Sequence, residues 1–145
     1  MKKLITLMMT LAFTLSCFFS ISAYAAQDNQ DNIIKPYAST YFSNYSAEII
    51  PNRNGEITIR YSDQAKTPMT ELGASKVVVQ EKSGSAWTDK KTFKKSTTPS
   101  MVGSNRAVFS KDLSYSGTAG KEYRAIVTFY AKNSSGSDTK TYTYY

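Results

Sequence analysis

Histidine is absent from this chain, and Cys17 is its only cysteine. Cys17 sits inside the apolar run Leu4 to Ile21, which Lys2 and Lys3 lead and Ala23-Tyr24-Ala25 close. A charged head, an apolar middle and an A-x-A end are the pattern of a secretory signal peptide, 1–25. The run is nearly long enough to span a bilayer. The cleavage pattern and the polar Gln27-Asp28-Asn29-Gln30 after it favour removal over a retained anchor. Thr14 stands where a lipoprotein signal would carry an apolar residue, so lipidation at Cys17 is not expected. What remains has neither thiol nor imidazole. Disulfides are excluded, although an oxidising compartment would tolerate them. Zinc and copper sites built on Cys or His are excluded, as is catalysis by either side chain. Paired carboxylates and a Ser–Lys pair stay open. No cofactor and no metal are expected.

Leucine is scarce and helical periodicity is missing throughout. Tyrosine, threonine, serine and valine dominate instead, a mixture suited to pleated, half-buried surface. The formal charge of +7 falls to +5 once Lys2 and Lys3 leave. Residues 26–38 are polar and read as a flexible leader. Residues 39–145 suit one domain with one core.

From Ser39 the hydrophobic period is two. Tyr45, Ala47 and Ile49 alternate with polar neighbours, and Asn54-Gly55 supplies a hairpin turn. Ile57, Ile59 and Tyr61 form the dry face of a second strand. Residues 62–70, with Pro68, read as loop, and Met69 and Leu72 as plugs at the end of the core. Lys76 to Gln80 and Trp87 to Phe93 flank a turn at Ser83-Gly84. Residues 96–105 read as a long polar connection. Arg106 to Leu113 is a fifth strand of ambiguous phase. Tyr123, Ala125, Val127, Phe129 and Ala131 form the clearest inward row. Asn133 to Gly136 then turns the chain into a last strand, Thr139 to Tyr145. Seven short strands with near-regular turns predict an all-β, seven-stranded antiparallel sandwich.

The segment Leu113-Ser-Tyr-Ser-Gly-Thr-Ala-Gly-Lys-Glu-Tyr123-Arg-Ala125-Ile-Val127 resembles the E–F corner of fibronectin type III and related immunoglobulin-like modules. That resemblance implies a tyrosine corner at Tyr123, whose hydroxyl would tie the turn to nearby backbone. Asn133 and Gly136 resemble the F–G turn. The tryptophan of a fibronectin second strand is here Tyr61 or missing, so the broader immunoglobulin-like sandwich is the expectation. Residues 40 to 145 also resemble small secreted proteins of uncharacterised function from anaerobic Gram-positive bacteria. The shared pattern is Met69-Thr-Glu-Leu72-Gly73-Ala74, Ser83-Gly84-Ser85-Ala86-Trp87 and the strand Ala125 to Lys132. This implies export to the extracellular space and brings no activity.

Two surface candidates stand out. Lys90, Lys91, Lys94 and Lys95 crowd six residues, a cluster able to hold an anionic polymer or to guard an edge strand against aggregation. Tyr130, Tyr142 and Tyr144 would line one outward face if the last two strands pair in the matching register, offering stacking area to sugars or a protein. Ordinary cross-strand pairing is the competing account. The acids Glu48, Glu56, Asp63 and Glu71 show no spacing that demands a shared site, and a small sandwich offers little cleft for a glycosidase. Asn44 and Asn133 lie in glycosylation sequons. A Lys–Asn crosslink of the adhesin kind would need a buried lysine, asparagine and carboxylate together.

The expected function is a secreted, non-catalytic binding or adhesion module. Its expected partner is an extracellular glycan, an anionic polymer or a protein, with no nucleic acid and no membrane span after signal cleavage. A monomer is expected. The alternative is a self-associating structural protein of the cell envelope or extracellular matrix. No cell-wall sorting motif precedes Tyr145, so covalent wall attachment is not expected.

Overall fold

The computed structural model describes residues 39–145; the expected signal peptide and leader lie outside them. Eight strands follow in order: β1 (Phe42–Pro51), β2 (Glu56–Met69), β3 (Glu71–Ser83), β4 (Ala86–Lys94), β5 (Val102–Gly103), β6 (Arg106–Ser116), β7 (Tyr123–Asn133) and β8 (Gly136–Tyr144). They form two antiparallel sheets. One runs β1-β2-β6; the other runs β4-β3-β7-β8, with β5 also paired to β3.

Alternation decides what each sheet buries. Ile57, Ile59 and Tyr61 of β2 face Val77 and Val79 of β3 and Ala125, Val127, Phe129 and Ala131 of β7 across one apolar core. Phe42, Tyr45 and Leu113 complete it from β1 and β6. Burying such side chains stabilises by about 1.5–3 kcal/mol each, which is what one disulfide-free core has to work with.

Two glycines stand where the backbone of a neighbouring segment leaves no room for a side chain. Asn54 (φ 61°) and Gly55 (φ 82°) are both left-handed, as a tight hairpin requires. A Cβ on Gly55 would strike the Thr118–Ala119 backbone, and the Gly55 carbonyl accepts the Gly117 N–H at 3.1 Å. Gly73 (φ 153°) lies where a Cβ would collide with the Met101 carbonyl.

The structure departs from the expected strands at three places. Residues 62–69 continue β2 rather than forming a loop. Phe42 pairs with Ala65 and Met69 with Arg106 across an irregularity that absorbs Pro68. Neighbouring strands supply the hydrogen bonds that turn propensity alone would have forgone. Only Thr70 separates β2 from β3, so the chain passes between sheets within one residue. The polar connection 96–105 holds fully buried Met101 and the eighth strand, β5. The ambiguous β6 resolves with Phe109, Lys111, Leu113 and Tyr115 on the row facing Asp63, Tyr61, Ile59 and Ile57, leaving Val108 59% exposed.

Candidate functional site

The outer face of the larger sheet carries a cluster that no sequence pattern announced. In the β3–β7 register, Val77 faces Val127 on the inner side, so Gln80 and Arg124 pair on the outer side. On β4 the alternation alone would have aimed Trp87 inward. Lys91 opposes Val79, but Asp89 opposes Gln80, so Lys90 is an extra, bulged residue. That one-residue bulge flips the remaining strand and sets Trp87 opposite Lys82, on the outer face.

Three side chains from three strand ends then meet. The Arg124 guanidinium carbon lies 4.5 Å from the Trp87 ring centroid and 5.9 Å from that of Tyr145. The two rings meet edge to face at 5.9 Å. Arg124 donates from Nε to Gln80 Oε1 at 2.6 Å and from Nη1 to the Tyr145 hydroxyl at 3.3 Å. Gln80 in turn donates to Asp89 at 2.5 Å. The guanidinium is held close to both rings, while Tyr145 stays 76% exposed. A planar cation packed against aromatic rings on a sheet keeps little side-chain freedom to lose on any contact.

The expected tyrosine row does not form. Tyr142 opposes Val127 and Tyr144 opposes Ala125, so both belong to the inner row. Tyr142 stacks on Tyr45 at 5.2 Å, its hydroxyl accepting from that of Tyr45 at 2.9 Å. Tyr144 meets Phe129 edge to face at 6.2 Å, and burial pushes its phenol up. Tyr130 alone faces outward, opposite Thr139 and Gly73. A one-residue difference in register decides this, because strand side chains alternate with period two.

The four lysines also separate. Lys90 pairs with Glu81 at 3.2 Å. Lys91 lies over the Phe93 ring at 5.6 Å, on the inner side of the edge. Lys94 is outward and exposed, directly opposite Lys76. Lys95 sits 3.8 Å from the Tyr130 ring centroid and 2.7 Å from Glu71. Burial pulls the Lys95 ammonium down, but Glu71 and Tyr130 outweigh it and leave its pKa raised.

Tyr123 lies at the corner leading into β7. Its hydroxyl accepts the Thr118 N–H at 2.6 Å and donates to Glu81 at 2.7 Å. That bond holds the Glu81 carboxyl below its ordinary value.

The acids do not converge. Glu48 and Asp112 share Arg60. Glu71 binds Lys95, and Glu56 is exposed. Asp63 is fully buried on the inner row of β2 with neither oxygen hydrogen-bonded, and desolvation holds its pKa well above the ordinary carboxylate value. An acid so enclosed reaches no substrate. Among the described residues no lysine or asparagine is buried, so Asp63 lacks the partners of a Lys–Asn crosslink. Of the two sequon asparagines, Asn133 accepts the Ser135 N–H at 2.8 Å and Asn44 is half-buried on β1. No group of three Asp, Glu, His or Cys residues among the described ones is placed to hold a metal ion. None of the described helices is long and apolar enough to cross a membrane. No protein-family model, curated protein or solved structure matches the chain.

Proposed function

We propose that this chain is an exported, non-catalytic recognition module of immunoglobulin-like type, and that the outer face of the β4-β3-β7-β8 sheet is its contact surface. The carrying observation is Arg124 packed against the rings of Trp87 and Tyr145 where the two rings meet. Aromatic and arginine side chains on a rigid support are the types that dominate binding energy at interfaces. The sheet order supports the fold family: β4-β3-β7-β8 reads as the C′-C-F-G sheet of that architecture, and the Tyr123–Thr118 bond has the form of its tyrosine corner. The buried Tyr61, whose hydroxyl donates to the Met101 carbonyl at 2.6 Å, occupies the strand where fibronectin modules carry tryptophan. Export rests on the signal pattern and on the resemblance to secreted proteins.

The test is binding of the purified protein to a panel of glycans, wall polymers and extracellular proteins, with Trp87→Ala and Arg124→Ala alongside. Both variants should keep the wild-type melting temperature to within a few degrees and lose at least about tenfold in affinity, as truncated anchor residues do. Binding that neither substitution weakens would place the contact surface elsewhere.

A second reading, self-association, is favoured by β8. This edge strand pairs with β7 without a register shift and carries one lysine, whereas the opposite edge, β4, has a bulge and Lys90, Lys91 and Lys94. Bulges and lysines are the devices that blunt sheet edges. Sedimentation at rising concentration separates the readings: a constant monomer mass excludes this one.

A further inference from the structure

We propose that the partner of the outer sheet face is an acidic glycan of sparse charge; the inference rests on the recognition reading above. The first observation is a pair of like charges. Lys76 of β3 and Lys94 of β4 are direct cross-strand partners, both exposed and both on the outer face. Opposed like charges destabilise a sheet, and neither lysine has an ion-pair partner among the described residues. Neighbouring cations are matched: Lys82 with Glu122 and Lys95 with Glu71. An anion docked between Lys76 and Lys94 would relieve their repulsion.

The second observation is spacing. Arg124 spends its hydrogen bonds on an amide and a phenol, so its charge meets no carboxylate. It lies beside Gln80, four residues along β3 from Lys76. At about 3.3 Å per residue the two cationic stations are about 13 Å apart. The ground between them is apolar, formed by the half-buried Ile126 beside its cross-strand partner Val78, which its neighbours cover to 8% exposure. Hydroxyls flank it: Thr92 opposes Val78, Thr143 opposes Ile126, and Thr141 donates to Thr128 at 3.1 Å.

A sugar chain offers what this ground lacks and takes what it has. The C–H faces of its rings lie on Ile126 and the Trp87 indole, its hydroxyls meet the threonines, and its acidic groups reach the two stations. Nucleic acid fits less well. Each strand of a duplex carries a phosphate about every 3.4 Å, so two stations about 13 Å apart would leave most charges unmatched. Glu71, Asp89 and Glu122 on or beside the same sheet would oppose the remainder.

The probe is a hyaluronan oligosaccharide, whose carboxylates fall on alternate sugars, beside its carboxyl-reduced neutral counterpart and oligo-dT of similar length. Affinity is measured at low and near-physiological salt for wild type, Lys76→Gln/Lys94→Gln and Trp87→Ala. Hyaluronan should bind, weaken with salt, and bind the double lysine variant about three- to tenfold less tightly. The double variant should melt at or above the wild-type temperature, since the repulsion is gone, so lost affinity cannot be traced to misfolding. Equal affinity for native and reduced polymer, both weakened by Trp87→Ala, overturns the acidic-glycan inference and leaves the recognition reading intact. Tighter binding of oligo-dT overturns it in favour of nucleic acid. No binding to either polysaccharide overturns it as well; if the Trp87→Ala protein also matches wild type across the wider panel, the recognition reading falls with it.

Discussion

Raising the pH from 5 to 7 should weaken this fold, and Asp63 is the reason. Its carboxyl is fully buried between the sheets with neither oxygen bonded, so the folded protein favours the neutral acid. The unfolded chain releases that proton near the ordinary value of 3.8, whereas the folded chain keeps it well above. Between those limits the native state binds one more proton than the unfolded state, so stability falls as pH rises. The slope is about 1.4 kcal/mol for each pH unit over which the folded state retains the proton that the unfolded chain has lost. For a domain of this size each such unit corresponds to a drop in melting temperature on the order of 5 °C. Burial also pushes up the phenols of Tyr61 and Tyr144, with Asp63 contributing to both, which carries the same sign into the alkaline range. Opposing groups act only on the acid side. Arg60 holds Asp112 low and Tyr123 holds Glu81 low; Ser39 and Lys140 outweigh burial to hold Asp138 low. The stability they add is present above the ordinary carboxylate value and lost as pH falls below it. The optimum should therefore lie at about pH 4–5. The assay is urea unfolding from pH 4 to 8 for wild type, Asp63→Asn and Asp63→Ala. Neither substitute titrates, so both should flatten the limb between pH 5 and 7. A wild-type slope that survives in either variant would refute the assignment to Asp63.

Tyr123→Phe removes one hydroxyl that serves two partners, Thr118 and Glu81. It should cost about 1–2 kcal/mol in urea unfolding, with the Glu81 carboxyl moving back toward its ordinary value by NMR titration. Gly73→Ala adds a Cβ against the Met101 carbonyl at a left-handed φ. It should cost about 2–3 kcal/mol or more and loosen β5, seen as faster amide exchange at Val102 and Gly103; wild-type exchange there would count against that reading.

Much of the candidate surface was hidden in the sequence for one physical reason. Period-two alternation reveals which residues share a face only while register is unbroken. Ala125, Val127, Phe129 and Ala131 lie within one uninterrupted stretch of β7, and their inward row was legible. Trp87 was not, because the bulge at Lys90 inverts its side. A similar irregularity at Ser75 turns the inward sequence Leu72, Ala74 into Val77, Val79. Lys90, Lys91, Lys94 and Lys95 formed one cluster along the chain and four environments in space, since the bulge and the strand end send them different ways. Tyr142 and Tyr144 depended on the β7–β8 register, which the turn Asn133–Gly136 sets and composition does not.

By itself the sequence determined the all-β class, most of the strands along the chain, the hairpin turns at Asn54-Gly55 and Gly84, and the exclusion of thiol and imidazole chemistry beyond residue 25. These follow from side-chain type, local backbone preference and alternation, all of which act over a few residues. The tertiary structure alone decided the extension of β2, the burial of Met101, the orphaned Asp63 and the meeting of Trp87, Arg124 and Tyr145. Each depends on which strand lies beside which and in what register, a choice made by hydrogen bonds and packing between residues far apart in the chain.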